Sequence, residues 1–142
     1  MSKDINYYIA HGKKAEELAH EKYGGIIHAV FQQGVMTFWT QNCTVPDLFR
    51  KTENGYEAIE VKFCDFDSFY QIRQKGYSVK KQLYKRLEDL PDGVMQRVVI
   101  YHTGYFEDFE IKEELSRILL PYFPKLEIDV IEYPNDEDME DF

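Results

Sequence analysis

The sequence is poor in cysteine and has no long apolar run. Its 142 residues include two cysteines, Cys43 and Cys64, which are too few for the disulfide framework of a small secreted domain. No stretch reaches the roughly 18–20 apolar residues that span a bilayer, and the N-terminal residues lack the hydrophobic region of a secretion signal. We therefore expect a cytoplasmic protein with reduced thiols and no membrane partner.

Basic residues are also scarce relative to acids. There are 17 Lys and Arg against 26 Asp and Glu, for a net charge of −9, which is unusual for a nucleic-acid-binding protein. The charge is unevenly distributed, however. Residues 135–142 contain five acids and no base, whereas residues 71–87, the basic segment, contain six bases and no acid. Net charge is therefore a poor guide to local binding, and a solvated helix face is the plain alternative for the basic segment.

The chain does contain enough apolar and aromatic material for one packed domain. Hydrophobic residues make up 44% and aromatic residues 15% of it, which argues against global disorder. The length also fits a single core. We predict one domain over residues 1–134 and a flexible acidic tail over residues 135–142.

Periodicity and turn signals predict alternating helices and strands. Helices are predicted at 11–23, 79–90 and 110–120, and strands at 26–31, 35–41, 56–63, 97–102 and 126–133. Gly24-Gly25 ends the first helix, and Asn54-Gly55 is a hairpin signal. The order is helix, three-strand meander, helix, strand, helix, strand. It predicts an α/β fold with a mixed central sheet flanked by helices.

Two acids and a lysine lie near the predicted hairpin. Because side chains alternate along a strand, Glu60 and Lys62 project together, about 7 Å apart. The opposite, core-facing set is Ile59, Val61 and Phe63. Asp47 follows Pro46, which interrupts strand pairing, and is predicted to lie just past the second strand, across the hairpin from the third. Its carboxylate can then meet Glu60 around a shared ion.

Such a group of side chains suits phosphodiester hydrolysis. A hard cation such as Mg²⁺ prefers carboxylate, carbonyl and water oxygens, polarises the scissile phosphate and lowers the pKa of a bound water. A neighbouring lysine can orient or deprotonate that water, or stabilise the charge that builds on the phosphorane. Asp47, Glu60 and Lys62 supply these roles.

Pro46-Asp47, followed after twelve residues by Glu60-Val61-Lys62, resembles the motif of the PD-(D/E)XK nuclease superfamily. The predicted helix, meander, helix and strand over residues 11–103 are also similar to that superfamily's restriction endonuclease-like core, α-βββ-α-β. The resemblance implies Mg²⁺ or Mn²⁺ as the cofactor. Its ligands would be Asp47, Glu60 and the Val61 carbonyl, and Lys62 would position the water.

Two further site residues are implied by the same resemblance. Members often place an additional acid on the first helix, and Glu16 is the candidate here, with Glu17 as the alternative. Many members also carry a glutamine or a base on the helix after the lysine, a role that Gln82 suits. It would contact the phosphate or the lysine.

The basic segment adds predicted nucleic-acid contacts. On the helix predicted at 79–90, Lys81 and Lys85 are four residues apart and so lie on one side. We predict phosphate contacts from five residues: Lys75, Lys80, Lys81, Lys85 and Arg86. Tyr77 and Tyr84 could stack on bases, although packing against the sheet is the simpler expectation for both.

We expect a divalent-metal-dependent nuclease that acts on nucleic acid, with DNA favoured over RNA. One alternative is a catalytically inactive nuclease-fold module that binds nucleic acid or a protein partner. Another is that Glu60 and Lys62 merely lie on the solvent-exposed face of a strand. The pattern of helix, turn and strand in residues 80–101 is similar to the one that follows the core in bacterial toxin domains of the superfamily. A toxin of this kind would imply an inhibitory immunity protein as a partner. A homodimer is left open, because enzymes that cut both strands often act as dimers.

Overall fold

The computed structural model describes residues 4–134, and the predicted acidic tail, residues 135–142, lies outside that range. The helices are α1 (Ile5–Tyr23), α2 (Phe69–Asp89) and α3 (Asp108–Leu119). The strands are β1 (Phe31–Gln32), β2 (Val35–Met36), β3 (Leu48–Thr52), β4 (Gly55–Cys64), β5 (Met95–His102) and β6 (Glu127–Glu132). None of the helices in this part of the chain is both long and apolar enough to cross a membrane.

Four strands form one mixed sheet in the order β3-β4-β5-β6. β3 and β4 are antiparallel, whereas β4, β5 and β6 run parallel to one another. Parallel neighbours need a long crossover connection, which α2 supplies between β4 and β5 and α3 supplies between β5 and β6. The predicted α/β fold, with a mixed sheet flanked by helices, is confirmed.

The helices cover both faces of this sheet. On one face, Ile59 and Val61 of β4 pack in a cluster with Ala15 and Ala19 of α1. On the other face, α2 and α3 pack around a second cluster that includes Ile72, Leu83, Val98, Ile100, Ile111 and Leu115. The centre of β4 is therefore buried from both sides.

Two helices begin earlier than their sequence patterns predict. α1 starts six residues earlier, where the Asp4 carboxylate accepts a hydrogen bond from Tyr7 N at 3.0 Å. α2 starts ten residues earlier, where Ser68 Oγ accepts a hydrogen bond from Gln71 N at 3.3 Å. Both caps satisfy amide groups that a helix leaves unpaired at its N-terminus. As a result, α2 carries the whole basic segment.

The strands predicted at 26–31 and 35–41 are wrong in extent. Only β1 and β2 form there, as a small hairpin apart from the main sheet. Before this hairpin, Ile26 makes a single antiparallel bridge to Phe49, with two hydrogen bonds of 2.9 Å. His28 then has a φ of 61°, a left-handed conformation that does not continue a strand.

The antiparallel partner of β4 is β3, a strand that the sequence pattern did not predict. Its register joins Leu48 to Ile59 at one end and Thr52 to Gly55 at the other. The hairpin predicted from Asn54-Gly55 is therefore confirmed. Asp47, however, lies just before β3 rather than past the end of a second long strand.

Candidate active site

Asp47 is held in place at the beginning of β3. The first residue of β3, Leu48, pairs with Ile59, so Val61 lies beyond the paired part of the two strands. Pro46, which precedes Asp47, has no N–H that could form a hydrogen bond between strands. The Asp47 carboxylate takes the place of a ladder acceptor: its Oδ2 accepts a hydrogen bond from Val61 N at 2.7 Å. The first acid of the motif is thereby fixed to the backbone between the second acid and the lysine.

Glu60 lies on the face of β4 that α2 covers. It is 6% exposed, so the alternative that Glu60 merely lies on the solvent-exposed face of a strand is wrong. Its Oε1 lies 3.0 Å from Lys62 Nζ, and its Oε2 forms an ion pair with Arg86 of α2. The Lys62 side chain itself is only partly buried. Glu60 is consequently a buried acid with two basic neighbours.

The acids of the predicted site act on one another electrostatically. Burial of Asp47 and the negative charge of Glu60 raise the pKa of Asp47 to about 7, and the charge of Glu16 adds to this. The hydrogen bond from Val61 N and the charge of Arg86 oppose the rise without cancelling it. A carboxyl group beside other carboxylates is costly to ionise, and a bound cation would stabilise its ionised form. Shifted carboxyl pKa values also tend to occur at functional sites.

A cleft of about 320 Å³ opens beside Asp47, on the side of the sheet that α1 covers. Glu16 and Glu17 of α1 line this cleft together with His28. Glu16 is exposed, and it is near enough to Asp47 to contribute to the raised pKa. Glu16 is therefore an acid of α1 that lies within electrostatic reach of Asp47.

Gln82 lies on the flank of α2 that also carries Arg86, one helical turn earlier. Its Oε1 is buried and has no hydrogen-bond partner among the described residues. A buried amide oxygen without a partner costs free energy, so this side chain is able to accept a further contact. Because Arg86 pairs with Glu60, Gln82 is on the side of α2 that faces the acids.

Arg86 differs from the predicted position. It is buried and ion-paired to Glu60, whereas the sequence pattern predicted a residue that contacts phosphate. The cause is the packing of α2 on β4, which turns this part of the helix toward the sheet. Arg86 neutralises the charge of Glu60 instead of presenting its own to solvent.

The other four predicted contacts remain at the surface. Lys81 and Lys85 are exposed on the outer side of α2. Lys80 is half-buried, with its Nζ 3.4 Å from the centre of the Tyr122 ring. Lys75 is also half-buried and lines a second cleft, of about 310 Å³, near the end of β4. Lys81 and Lys85 are therefore the best placed to contact a large anionic ligand.

Oxygen donors dominate the centre. The Asp47 and Glu60 carboxylates and the Val61 carbonyl are donors of the kind that Mg²⁺ and Mn²⁺ prefer. Within residues 4–134, no three His, Cys, Asp or Glu side chains are grouped so that they could hold a metal ion. The donor chemistry fits a hard cation, but such a cation would share Glu60 with Arg86 and Lys62.

Sequence reasoning missed two features of the site. The pairing of Arg86 with Glu60 depends on how α2 packs on β4, which no local pattern encodes. His28 lines the cleft beside Asp47, but it lies in a segment that was predicted to be a strand and has no motif spacing to the acids.

No protein-family model, no curated protein and no solved structure matches this chain.

Proposed function

We propose that this protein is a divalent-metal-dependent nuclease that hydrolyses phosphodiester bonds of nucleic acid, with DNA favoured over RNA. The observation that carries the proposal is Asp47. Its carboxylate is fixed 2.7 Å from Val61 N, the backbone amide between Glu60 and Lys62, and burial and the neighbouring acids raise its pKa to about 7. A cation would stabilise such a cluster of acids. The preference for DNA follows from the resemblance to the PD-(D/E)XK superfamily.

The roles of the central residues follow from their chemistry. Asp47 and Glu60 would hold the cation, with the Val61 carbonyl as a third protein ligand. Bound there, Mg²⁺ or Mn²⁺ would polarise the scissile phosphate and lower the pKa of a water molecule. The Lys62 ammonium, 3.0 Å from Glu60 Oε1, orients the attacking water and offsets the negative charge that develops on the phosphate.

The order of the elements supports a restriction endonuclease-like core. α1, β3, β4, α2 and β5 follow the α-βββ-α-β order if the bridge between Ile26 and Phe49 is counted as the first strand. In that arrangement α1 brings Glu16, which orients water from the cleft side. α2 brings Gln82, whose side-chain amide contacts Lys62 or the phosphate.

The ion pair between Arg86 and Glu60 favours a second candidate. A guanidinium that already neutralises Glu60 can replace a cation, and the protein would then be an inactive nuclease-fold module that binds nucleic acid or a protein. The two candidates differ in whether Glu60 is available to a metal ion.

Cleavage assays separate these candidates. Plasmid, linear single- and double-stranded DNA, and RNA are incubated with the protein in Mg²⁺, Mn²⁺ or EDTA. We expect cleavage with either metal and none in EDTA. Lys62→Met should lower the cleavage rate by about 100-fold or more, since it removes a charge that stabilises the transition state. Lys51→Met is the matched control, because Lys51 is an exposed lysine on β3 of the same hairpin.

Two results would contradict the metal mechanism: cleavage that persists in EDTA, and undiminished cleavage by Lys62→Met. Binding of nucleic acid without cleavage of any substrate would support the inactive module instead. A Mn²⁺ titration gives an independent check, since Asp47→Asn should bind Mn²⁺ more weakly than the wild type.

A further inference from the structure

The outer surface of α2 carries three tyrosines at intervals of seven residues. Tyr70, Tyr77 and Tyr84 are 65, 58 and 44% exposed. Seven residues are nearly two helical turns, so the three rings lie in one row with about 10 Å between neighbours. The row is opposite the buried side of α2, to which Ile72 and Leu83 belong. These tyrosines therefore do not pack against the sheet, which was the simpler expectation for Tyr77 and Tyr84.

Local contacts order the two ends of this row. Tyr70 Oη accepts a hydrogen bond from Gln74 Nε2 at 2.8 Å. The Tyr84 ring packs against Phe123, with 4.9 Å between their centroids. Tyr77 lies between them at an open depression that Lys80 and Lys81 also line. Rings that are already ordered lose less conformational freedom when a ligand binds.

Positive charge accompanies the row. Lys81 lies four residues after Tyr77 and three before Tyr84, and both Lys81 and Lys85 are exposed. No acid occurs in residues 71–87. Aromatic rings can stack on unpaired bases, and lysines between them can contact the phosphates that join those bases.

We propose that the tyrosine face, formed by Tyr70, Tyr77, Tyr84, Lys81 and Lys85, is a binding site for single-stranded nucleic acid. The choice of nucleic acid as the ligand rests on the proposed function. The site itself is separate from the carboxylate centre and binds whether or not that centre cuts.

The spacing of the rings selects a single strand over a duplex. Successive nucleotides in a duplex strand are about 3.4 Å apart, and their bases are stacked and paired. Rings about 10 Å apart can each stack on a base only where the bases are separated from one another, as in a flexible single strand. A duplex could touch the two lysines with its phosphates, but it would leave the three rings uncovered.

A second copy of this chain is the competing occupant, because apolar residues at seven-residue intervals also form helix–helix interfaces. Pairing two copies of α2 through the tyrosine face would bring the basic segments of the two copies together, and these segments contain no acid. Like charges placed together across an interface oppose association. Nucleic acid is favoured because its phosphates neutralise Lys81 and Lys85.

The tyrosine face also leads toward the carboxylate centre. Each residue turns by about 100° around a helix, which places Lys81 and Lys85 on the side of the row nearer to Gln82. Gln82 precedes Arg86 by one turn, and Arg86 pairs with Glu60. A strand whose phosphates lie on the two lysines would therefore run beside the acids.

Fluorescence anisotropy in EDTA, which prevents metal-dependent cleavage, tests the site. The probes are end-labelled oligothymidylate and oligouridylate of about 20 nucleotides, longer than the roughly 4–16 that single-strand sites cover, and a DNA duplex of equal length. The wild type should bind both single strands more tightly than the duplex. Tyr77→Ala should weaken single-strand binding by about 5- to 150-fold, which corresponds to one stacked base. Tyr77→Phe keeps the ring and should bind like the wild type.

Two further variants sharpen this test. Tyr105→Ala is the matched control, because Tyr105 is also exposed but lies in the loop between β5 and α3. It should leave binding unchanged. Lys81→Gln should reduce the slope of log affinity against log salt concentration by about 0.7, the value for one phosphate contact on a single strand.

Duplex binding as tight as single-strand binding would overturn this proposal, and so would Tyr77→Ala binding like the wild type. A dimer that forms without nucleic acid and is dissociated by Tyr77→Ala would also overturn it in favour of a second copy. The proposed function fails separately. Binding through Tyr77 without cleavage in Mg²⁺ or Mn²⁺ refutes the nuclease and supports this site.

Discussion

At Asp47, one carboxyl group is held by the backbone within electrostatic reach of two other acids. Burial, Glu60 and Glu16 raise its pKa from 3.8 to about 7. Between about pH 4 and pH 7, the folded protein therefore binds more protons at this position than the unfolded chain does. By proton linkage, the contribution of Asp47 to the free energy of unfolding then decreases as pH rises through this window.

We predict that Asp47→Asn stabilises the metal-free protein at about pH 8, by on the order of 1–4 kcal/mol, and has little effect at about pH 4. Asparagine keeps an oxygen that can accept the hydrogen bond from Val61 N. Urea unfolding in EDTA at the two pH values measures the difference. Asp67→Asn, which replaces an exposed acid, is the matched control. A gap between wild type and Asp47→Asn that stays constant with pH would contradict the raised pKa.

Mn²⁺ should reverse this order at about pH 8, because a ligand that binds only the folded state stabilises it. The wild type, which keeps both carboxylates, would then be more stable than Asp47→Asn. If Mn²⁺ stabilises the two proteins equally, Asp47 is not a metal ligand.

The spacing of Asp47, Glu60 and Lys62 predicted that the two acids lie near each other, which agrees with the effect of Glu60 on the pKa of Asp47. It was not enough to predict the burial of Glu60. Alternation along a strand shows which side chains share a face, but it does not show whether a helix covers that face. The covering helix here brings Arg86, whose pairing with Glu60 joins residues from distant parts of the sequence.

The ion pair of Glu60 and Arg86 joins β4 to α2. Removing one partner of a buried ion pair leaves the other charge uncompensated, at a cost of about 3–5 kcal/mol. We predict a cost of this size for Glu60→Leu, which leaves Arg86 without its acid, and a smaller cost for Arg86→Met, because Lys62 still lies 3.0 Å from Glu60. The double variant should recover part of the loss. Urea unfolding of the four proteins gives the coupling free energy.

An exposed pair provides the control for this cycle. Arg117 and Glu113 of α3 form an ion pair at 3.2 Å, and both side chains are more than half exposed. Their coupling free energy should be about 0.3–0.5 kcal/mol. A coupling between Glu60 and Arg86 no larger than this would show that the buried pair does not hold α2 on β4.

The junction between α1 and the sheet requires glycine at two adjacent positions, for different reasons. Gly24 and Gly25 both have positive φ angles, of 71° and 92°. A Cβ on Gly24 would meet nothing within 4 Å, whereas a Cβ on Gly25 would lie 2.7 Å from the carbonyl oxygen of Phe49. That oxygen also accepts the hydrogen bond from Ile26 N, so it cannot move away freely.

We predict that Gly25→Ala lowers the free energy of unfolding more than Gly24→Ala does. Both variants carry the backbone strain of about 1–3 kcal/mol, and only Gly25→Ala adds a clash with the main chain. Thermal or urea unfolding of the two variants measures the difference directly. Equal destabilisation would mean that a Cβ at residue 25 does not clash with the carbonyl oxygen of Phe49.

The helices and strands were predicted well where the periodicity of the sequence agrees with the pairing that forms in the structure. β4 to β6 and α3 have clear periodicity and were found within a few residues. Residues 26–41 are rich in aromatic and β-branched side chains, but Phe38 and Trp39 are exposed and only short pairings form. β3 contains Arg50 and Lys51 and has a weaker strand pattern. It becomes a strand because the turn after Thr52 places it against β4, and pairing of this kind overrides strand propensity.

At the scale of the whole molecule, a net charge of −9 opposes the approach of a polyanion, whereas the basic segment attracts it locally. Five of the acids lie in residues 135–142, outside the described part of the chain. Removing those eight residues changes the net charge from −9 to −4, since −9 plus five is −4. The basic segment keeps all of its lysines and arginines.

We predict that this deletion increases the affinity for labelled oligothymidylate by about 10-fold at low salt, where the field of the whole protein acts over long distances. The increase should vanish near 1 M salt, where the Debye length falls to about 3 Å. A full-length variant in which the five acids are replaced by their amides should behave like the deletion, because charge rather than length is the cause. Unchanged affinity at low salt in both variants would show that the tail does not compete with nucleic acid for the basic segment. The net negative charge of the chain would then not affect the binding of nucleic acid at α2.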